Sequence, residues 1–160
     1  MERVLLVDPD KCTACRICEL ACSAKHTGAF NPAKSRITVE TFLEDNFFFP
    51  LVCQHCENAP CIEVCPTGSL TRNPDTQAVV VDESKCIGCR MCQIACPFGA
   101  VGYSASERKI VKCDLCGGEP ECVTFCPWQA ITLIEADDAV LAKRRAFGAR
   151  LKEAMKEVKV

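Results

Sequence analysis

Sixteen of the 160 residues are cysteines, and they stand in four groups of four along the chain. Within a group, two to five residues separate neighbouring cysteines, and three residues always separate the third from the fourth. The groups are quartet I (Cys12, Cys15, Cys18, Cys22), quartet II (Cys53, Cys56, Cys61, Cys65), quartet III (Cys86, Cys89, Cys92, Cys96) and quartet IV (Cys113, Cys116, Cys122, Cys126). Quartets II, III and IV end in Cys-Pro, whereas quartet I ends in Cys22-Ser23. This repeat uses every thiol, so it predicts one shared chemistry for all four quartets.

Quartet III has the spacing by which bacterial ferredoxins bind iron–sulfur clusters: two residues between successive cysteines, then a fourth cysteine before proline. A Cys-x-x-Cys-x-x-Cys loop can turn three thiolates and several backbone N–H groups toward one cluster. The fourth cysteine ligates the other cluster in two-cluster ferredoxins. We expect it to begin a helical turn, where the following proline needs no N–H. Four complete quartets therefore predict four [4Fe–4S] clusters, with all sixteen cysteines as iron ligands.

A chain with this many cysteines could instead bind zinc or form a disulfide framework. Four-thiolate zinc sites usually join two Cys-x-x-Cys pairs that stand about a dozen or more residues apart, whereas each quartet is one short run. A disulfide framework requires an oxidising compartment, and the apolar residues 4–7 are too few for a secretory signal. The sequence therefore favours metal ligation in a reducing cytoplasm.

Charge and motif content exclude several function classes. The net charge of −2 argues against a general nucleic-acid binder, and no apolar run approaches the length of a membrane span. No phosphate loop, dinucleotide fingerprint or Ser/His/Asp arrangement occurs, so the chain is expected to have no catalytic residues. The charge is uneven, since residues 139–160 hold seven basic and two acidic residues and the rest of the chain is acidic.

The elements that must position the quartets are short. Apolar, β-branched runs predict strands near residues 4–7, 37–39, 78–82, 110–112 and 131–134. Asn73-Pro74-Asp75 predicts the turn of a hairpin that ends in the 78–82 strand. The predicted fold is a small α+β fold built around metal. Apolar residues at three- and four-residue spacing further predict an amphipathic helix over residues 139–160, with a basic opposite face.

On these motifs the chain resembles the four-cluster ferredoxin subunits of multisubunit oxidoreductases, of the dimethyl sulfoxide reductase, formate dehydrogenase and formate hydrogenlyase type. The resemblance runs from about Val4 to Ile134 and includes FPLVCQHCENAPC at residues 49–61 and KCDLC at residues 112–116. In that family the first quartet pairs with the fourth and the second with the third. The resemblance thus implies a nested assignment of ligands, although spacing alone permits sequential pairing of the quartets equally well.

In the nested assignment, three cysteines of each cluster come from one quartet and the fourth comes from its partner. The implied ligand sets are set 1 (Cys12, Cys15, Cys18, Cys126), set 2 (Cys22, Cys113, Cys116, Cys122), set 3 (Cys53, Cys56, Cys61, Cys96) and set 4 (Cys65, Cys86, Cys89, Cys92). Two tandem ferredoxin-like units with pseudo-twofold symmetry follow. Residues 1–22 with 101–138 form one unit, residues 23–100 form the inserted unit, and the helix over 139–160 follows them.

The function that the resemblance implies is electron transfer without catalysis, in an oxidoreductase complex of anaerobic metabolism. The chain would relay electrons between a catalytic subunit and a second redox subunit, ferredoxin or flavoprotein. The chain is short for the family and resembles the small polyferredoxin subunits of tungsten- or molybdenum-dependent aldehyde oxidoreductases and of carbon monoxide dehydrogenase or hydrogenase systems. Its ending, from KRRAF at residues 143–147 onward, is most similar to the aldehyde oxidoreductase group. The 139–160 helix would dock on a partner, on its own body or on another copy of the chain.

A free-standing polyferredoxin, or an accessory factor for metalloenzyme assembly, is the alternative function. Both directions of electron flow are compatible with the sequence, because [4Fe–4S] potentials vary widely with their surroundings.

Overall fold

The computed structural model describes residues 3–135 and 147–148. Residues 3–135 form eight short strands and four helices, connected by loops and single 3₁₀ turns. The strands are β1 (Arg3–Val7), β2 (Thr38–Phe42), β3 (Phe47–Leu51), β4 (Leu70–Arg72), β5 (Val79–Val81), β6 (Val101–Ser104), β7 (Lys109–Lys112) and β8 (Ile131–Glu135). The helices are α1 (Ile17–Thr27), α2 (Pro60–Glu63), α3 (Met91–Ala95) and α4 (Glu121–Thr124). This composition confirms the predicted α+β class.

The strands pair into four antiparallel two-stranded sheets. One sheet joins the two ends of the described chain, because β1 pairs with β8 from Arg3 opposite Glu135 to Val7 opposite Ile131. The other three are hairpins between successive quartets, formed by β2 with β3, β4 with β5 and β6 with β7. The predicted turn after β4 is present, and the Oδ1 atom of Asn73 accepts the backbone N–H groups of Asp75 and Thr76 at 2.9 and 3.0 Å.

The helices repeat one local arrangement around the quartets. In each quartet the third cysteine is the second residue of a helix, and these residues are Cys18, Cys61, Cys92 and Cys122. No helix begins at the fourth cysteine, but in quartets II, III and IV this residue begins a single hydrogen-bonded turn, in which its carbonyl accepts the N–H of Gly68, Gly99 or Gln129. The helix that begins before the third cysteine continues through Cys22 in quartet I, and in quartet III it ends at Cys96, which is extended (φ −74°, ψ 113°). A proline fits after such an ending because the helix does not continue through it.

Apolar side chains form two clusters, and cysteines belong to both. The first cluster contains Leu5, Cys18, Cys22, Ile37, Val39, Val52, Ala78, Leu115, Cys122 and Ile131. The second contains Ala59, Leu70, Val79, Cys92, Val101 and Ile110. A buried carboxylate supports the first cluster, since Glu19 is only 3% exposed and its Oε1 atom accepts the backbone N–H of Val39 at 2.7 Å. This bond fixes the β2–β3 hairpin against α1, next to quartet I.

The predicted helix over residues 139–160 lies outside the described residues except for Phe147 and Gly148. The Phe147 ring packs against Phe49 of β3, with 5.7 Å between ring centroids. In the described part of the chain, no helix combines the length and the apolar character that crossing a membrane requires.

Candidate metal centres

The backbone of all four quartets carries a left-handed residue directly before the second cysteine. These residues are Ala14 (φ 55°), His55 (φ 45°), Gly88 (φ 67°) and Leu115 (φ 58°). Non-glycine residues adopt such a conformation rarely, at a cost of roughly 1–3 kcal/mol each. A left-handed residue in such a loop can turn successive N–H groups toward one side, as in the anion-binding concavities of many iron–sulfur sites. Each cysteine loop therefore shares a backbone feature that is typical of sites for anionic clusters.

Two cavities bring together thiols from distant quartets. One is lined by the thiols of Cys12, Cys15, Cys18 and Cys126, with Trp128 at its wall. The other is lined by the thiols of Cys65, Cys86, Cys89 and Cys92, with Met91 at its wall. These two groups have the membership of set 1 and set 4.

Two further groups of thiols are recognisable from their mutual electrostatic effects. Burial raises the pKa of Cys122, and the neighbouring thiolates of Cys113, Cys22 and Cys116 raise it further. Those four residues have the membership of set 2. Burial likewise raises the pKa of Cys61, and the thiolates of Cys53, Cys96 and Cys56 add to that effect. These four residues have the membership of set 3.

Thiols of one group also affect the pKa values of thiols in another group. Between sets 1 and 2, the Cys18 thiolate contributes to raising the pKa of Cys122. Between sets 2 and 3, the Cys53 thiolate contributes to raising the pKa of Cys113, after the larger effect of burial. Between sets 3 and 4, the Cys61 thiolate does the same for Cys92. Packing agrees with these effects, because cysteines of sets 1 and 2 belong to or pack against the first apolar cluster, and cysteines of sets 3 and 4 belong to or pack against the second.

Individual thiols experience different surroundings. Burial raises the pKa of Cys18 and of Cys113 to about 12, and that of Cys92 to about 11. Cys65 differs, because its hydrogen bonds outweigh the effect of burial. The hydroxyls of Ser69 and Thr67 lie 3.3 and 3.7 Å from its Sγ atom, and with backbone N–H groups they lower its pKa to about 6.

Backbone N–H groups point at several cysteine sulfurs. Arg36 donates to the Sγ atom of Cys22 at 3.3 Å. Leu115 donates to Cys113 at 3.4 Å, and Ala130 donates to Cys126 at 3.2 Å. Hydrogen bonds to cluster sulfurs are one of the factors that set cluster potentials. The loops therefore hold the thiols and supply the polar groups that tune an iron–sulfur centre.

A charged network beside set 2 has no signal in the sequence. The Nε2 atom of His26 lies 3.7 Å from the Sγ atom of Cys116 and 3.5 Å from Asp114. The Arg36 guanidinium contacts the same carboxylate at 2.7 Å. Burial and the Arg36 cation both lower the pKa of His26. The network ties α1 and the loop after it to quartet IV.

A second arrangement that the sequence did not predict holds quartet II. The Arg72 guanidinium, on β4, donates to the backbone carbonyls of His55, Cys56 and Glu57, and to that of Gln77 at 2.7 Å. The ring of His55 is buried, and its Nδ1 atom accepts the backbone N–H of Val79 at 3.0 Å. The β4–β5 hairpin thereby fixes the loop that carries Cys53 and Cys56.

The chemistry of the donor set fits [4Fe–4S] clusters. All sixteen cysteines carry free thiols, and thiolates are the usual ligands of such clusters. The left-handed loop residues and the N–H groups directed at sulfur suit anionic clusters rather than a single tetrahedral ion.

Comparison with known proteins agrees with this geometry. Residues 44–118 match the 4Fe-4S dicluster domain family, and residues 9–25 match a 4Fe-4S binding domain family. The polyferredoxin-like subunit of an aliphatic sulfonate oxidoreductase from Pyrococcus furiosus is 46% identical over 127 residues, covering 78% of this chain and 72% of that protein. Formate hydrogenlyase subunit 2 of Escherichia coli is 33% identical over 182 residues, covering 91% and 88%.

A solved structure is also similar. A chain of the active site complex BamBC of benzoyl coenzyme A reductase, in complex with benzoyl-CoA, superposes with a TM-score of 0.50 at 27% identity. The match covers 92% of this chain and 89% of the other.

The chain belongs to the family of ferredoxin-type 4Fe-4S electron-transfer subunits of oxidoreductases. The resemblance proposed from the sequence is therefore confirmed, and the chain is an electron-carrying rather than a catalytic subunit.

Proposed function

We propose that this chain holds four [4Fe–4S] clusters in sets 1 to 4 and relays electrons between a catalytic subunit and a second redox partner. The observation that carries the proposal is the meeting of distant quartets in two cavities, where Cys126 joins Cys12, Cys15 and Cys18, and Cys65 joins Cys86, Cys89 and Cys92. When bound, such clusters supply one-electron oxidation and reduction. The chain's residues hold them in series and shield them from water.

The exposure of the thiols supports a series with two ends. Of the sixteen cysteines, only Cys15 in set 1 and Cys89 in set 4 are exposed. Exposed apolar side chains lie close in sequence to Cys89, or close in sequence to Cys126, which belongs to the same set as Cys15. They are Phe125 and Trp128 on the set 1 side, and Ile87, Met91 and Ile94 on the set 4 side. We infer that the partners dock at these two faces, where a terminal cluster comes nearest to the surface.

The two-unit organisation is part of the same proposal. Residues 1–22 with 101–138 would enclose sets 1 and 2, and residues 23–100 would enclose sets 3 and 4. The β1–β8 pairing supports the first unit because it joins the two ends of the described chain. The apolar clusters suggest where the units interlock, since Val39 packs in the first cluster and Val101 in the second.

For the catalytic partner we propose a tungsten- or molybdenum-pterin oxidoreductase of the aldehyde oxidoreductase type, in the cytoplasm. The relative from Pyrococcus furiosus is named as a subunit of an oxidoreductase, and the similar solved chain belongs to an active site complex. The 139–160 helix is proposed as a further docking element. Phe147, within that range, packs on Phe49 of β3, directly before quartet II.

Anaerobic purification of the tagged full-length chain from its native host tests the proposal. We expect a larger subunit containing tungsten or molybdenum to co-purify, and we expect that subunit's substrate to bleach the visible iron–sulfur absorbance of this chain. A mock purification from untagged cells controls for carry-over. Recovery of the chain alone, with its absorbance unchanged by candidate aldehydes, would instead support a free-standing polyferredoxin.

A further inference from the structure

Lys112, the last residue of β7, is a buried cation. It is only 3% exposed, and its ammonium group donates to two backbone carbonyls, that of Val79 and, at 2.9 Å, that of Cys113. Within the described part of the chain it forms no ion pair with a carboxylate. A buried charge is strongly unfavourable unless an opposite charge compensates it. The position therefore requires a negative charge close to the ammonium group.

Two other lysines occupy the same place in the sequence repeat. Lys11 and Lys85 directly precede the first cysteines of quartets I and III, as Lys112 precedes that of quartet IV. Lys11 pairs with Asp8 at 3.2 Å and its side chain is 57% exposed. Lys85 pairs with Asp82 at 3.4 Å and its side chain is 60% exposed. Burial without an acidic partner therefore distinguishes Lys112 from two residues of the same type beside the same kind of loop.

Lys112 stands at the junction between sets 2 and 3. It adjoins Cys113 of set 2 in the chain and bonds to its carbonyl. Its positive charge also acts on Cys61 of set 3, where it opposes the larger effect of burial on the thiol pKa. Val79, whose carbonyl accepts from the ammonium group, belongs to the second apolar cluster, and Cys56 and Cys61 of set 3 pack against that cluster. One ammonium group thus acts on a cysteine of each inner set.

We propose that Lys112 is a fixed positive charge that compensates the negative charge of the two inner clusters and raises both of their reduction potentials. The proposal rests on the ligand sets proposed above. Sulfide and thiolate make such clusters net anionic, and each gains a further negative charge on reduction. A nearby cation therefore stabilises the reduced form more than the oxidised form. Beside the outer sets 1 and 4, the lysines at the equivalent position are exposed and paired with aspartates.

A purely structural role would be to link β5 to the start of quartet IV through the two carbonyls. Lys112→Gln separates the two roles, because a glutamine amide can donate to a carbonyl but carries no charge. Lys112→Arg keeps the charge. Lys11→Gln and Lys85→Gln are matched controls that remove a lysine from the same repeat position at the surface.

The test is a redox titration of the anaerobically purified full chain, followed by EPR. In Lys112→Gln we expect two of the four midpoint potentials to fall by at least about 59 mV each. For a one-electron couple, this shift corresponds to a tenfold weaker affinity for the electron. Lys112→Arg and both control variants should keep all four potentials near those of the wild type. An unchanged titration of Lys112→Gln, a shift of one centre only, or an equal shift of all four would overturn the proposal.

The iron content of each variant is measured before the titration, so that a variant that assembles its clusters poorly still gives a clear result. If Lys112→Gln loses about half of its iron while Lys112→Arg keeps it, the charge is required and the proposal stands. If both variants lose iron equally, the proposal fails, because charge is then not the property that matters. A wild-type chain with fewer than about sixteen irons contradicts the four-cluster proposal itself.

Discussion

A chain with both Cys65 and Cys92 replaced by alanine is expected to lose one cluster and keep three. Both thiols line the same cavity, although they come from quartets II and III. In the nested assignment both cysteines are ligands of the same cluster, so replacing both damages only that one cluster. We expect the anaerobically purified double variant to contain about twelve irons per chain, four fewer than the about sixteen of four complete clusters.

Sequential pairing of the quartets predicts a different result for the same variant. Cys65 would then complete a cluster with quartet I and Cys92 would belong with Cys126, so two centres would be damaged. The matched control is the double variant of Cys65 and Cys96, which affects two clusters under either assignment and should lose about eight irons. If both double variants lose the same amount of iron, the nested assignment is contradicted.

Replacement of Gly88 by alanine is expected to disrupt the set 4 site. Gly88 has φ +67°, and an added Cβ atom would stand 2.3 Å from the backbone carbonyl oxygen of Arg108. That contact cannot be relieved by a side-chain rotation, because the backbone fixes the position of Cβ and the Arg108 carbonyl is itself a backbone group. The loop between Cys86 and Cys89 must shift, and a ligand displacement of this kind weakens a metal site. We expect the variant to lose one cluster, or to lose it much faster than wild type when an iron chelator is added.

Gly99→Ala is the matched control for this prediction. Gly99 has nearly the same conformation, φ +66°, but an added Cβ atom would meet nothing within 4 Å. Only the left-handed conformation then opposes alanine, which amounts to about 1–2 kcal/mol. Iron content and chelator resistance of Gly99→Ala should stay close to wild type. Equal iron loss in both variants would mean that backbone conformation, and not the clash with Arg108, limits the loop.

The sequence predicted the parts of this protein that local chemistry determines. The quartets, the strands beside them and the turn at Asn73 follow from short-range patterns, and the structure contains those strands and that turn. The pairing of β1 with β8 joins segments far apart in the chain, which no local pattern specifies. The sequence did not show that each helix begins before the third cysteine, because a proline after the fourth cysteine is compatible with either end of a helix.

The residues that complete the sites were harder to predict. Only Gly88, among the four left-handed residues before a second cysteine, is a type that signals such a backbone; Ala14, His55 and Leu115 are not. His26 lies beside Cys116 only because the fold brings together two segments that are far apart in the sequence. Lys112 cannot be distinguished from Lys11 or Lys85 by its sequence neighbours, since each precedes a cysteine. The three lysines differ in burial, and burial depends on the whole fold.

The central claim is that all four quartets hold [4Fe–4S] clusters at the same time. Iron and acid-labile sulfide analysis of the anaerobically purified chain, combined with EPR spin counting after full reduction, tests it most directly. We predict about sixteen irons and about sixteen sulfides per chain, with reduced [4Fe–4S] signals that integrate to about four spins. About eight irons per chain, or zinc in place of iron at any quartet, would contradict it.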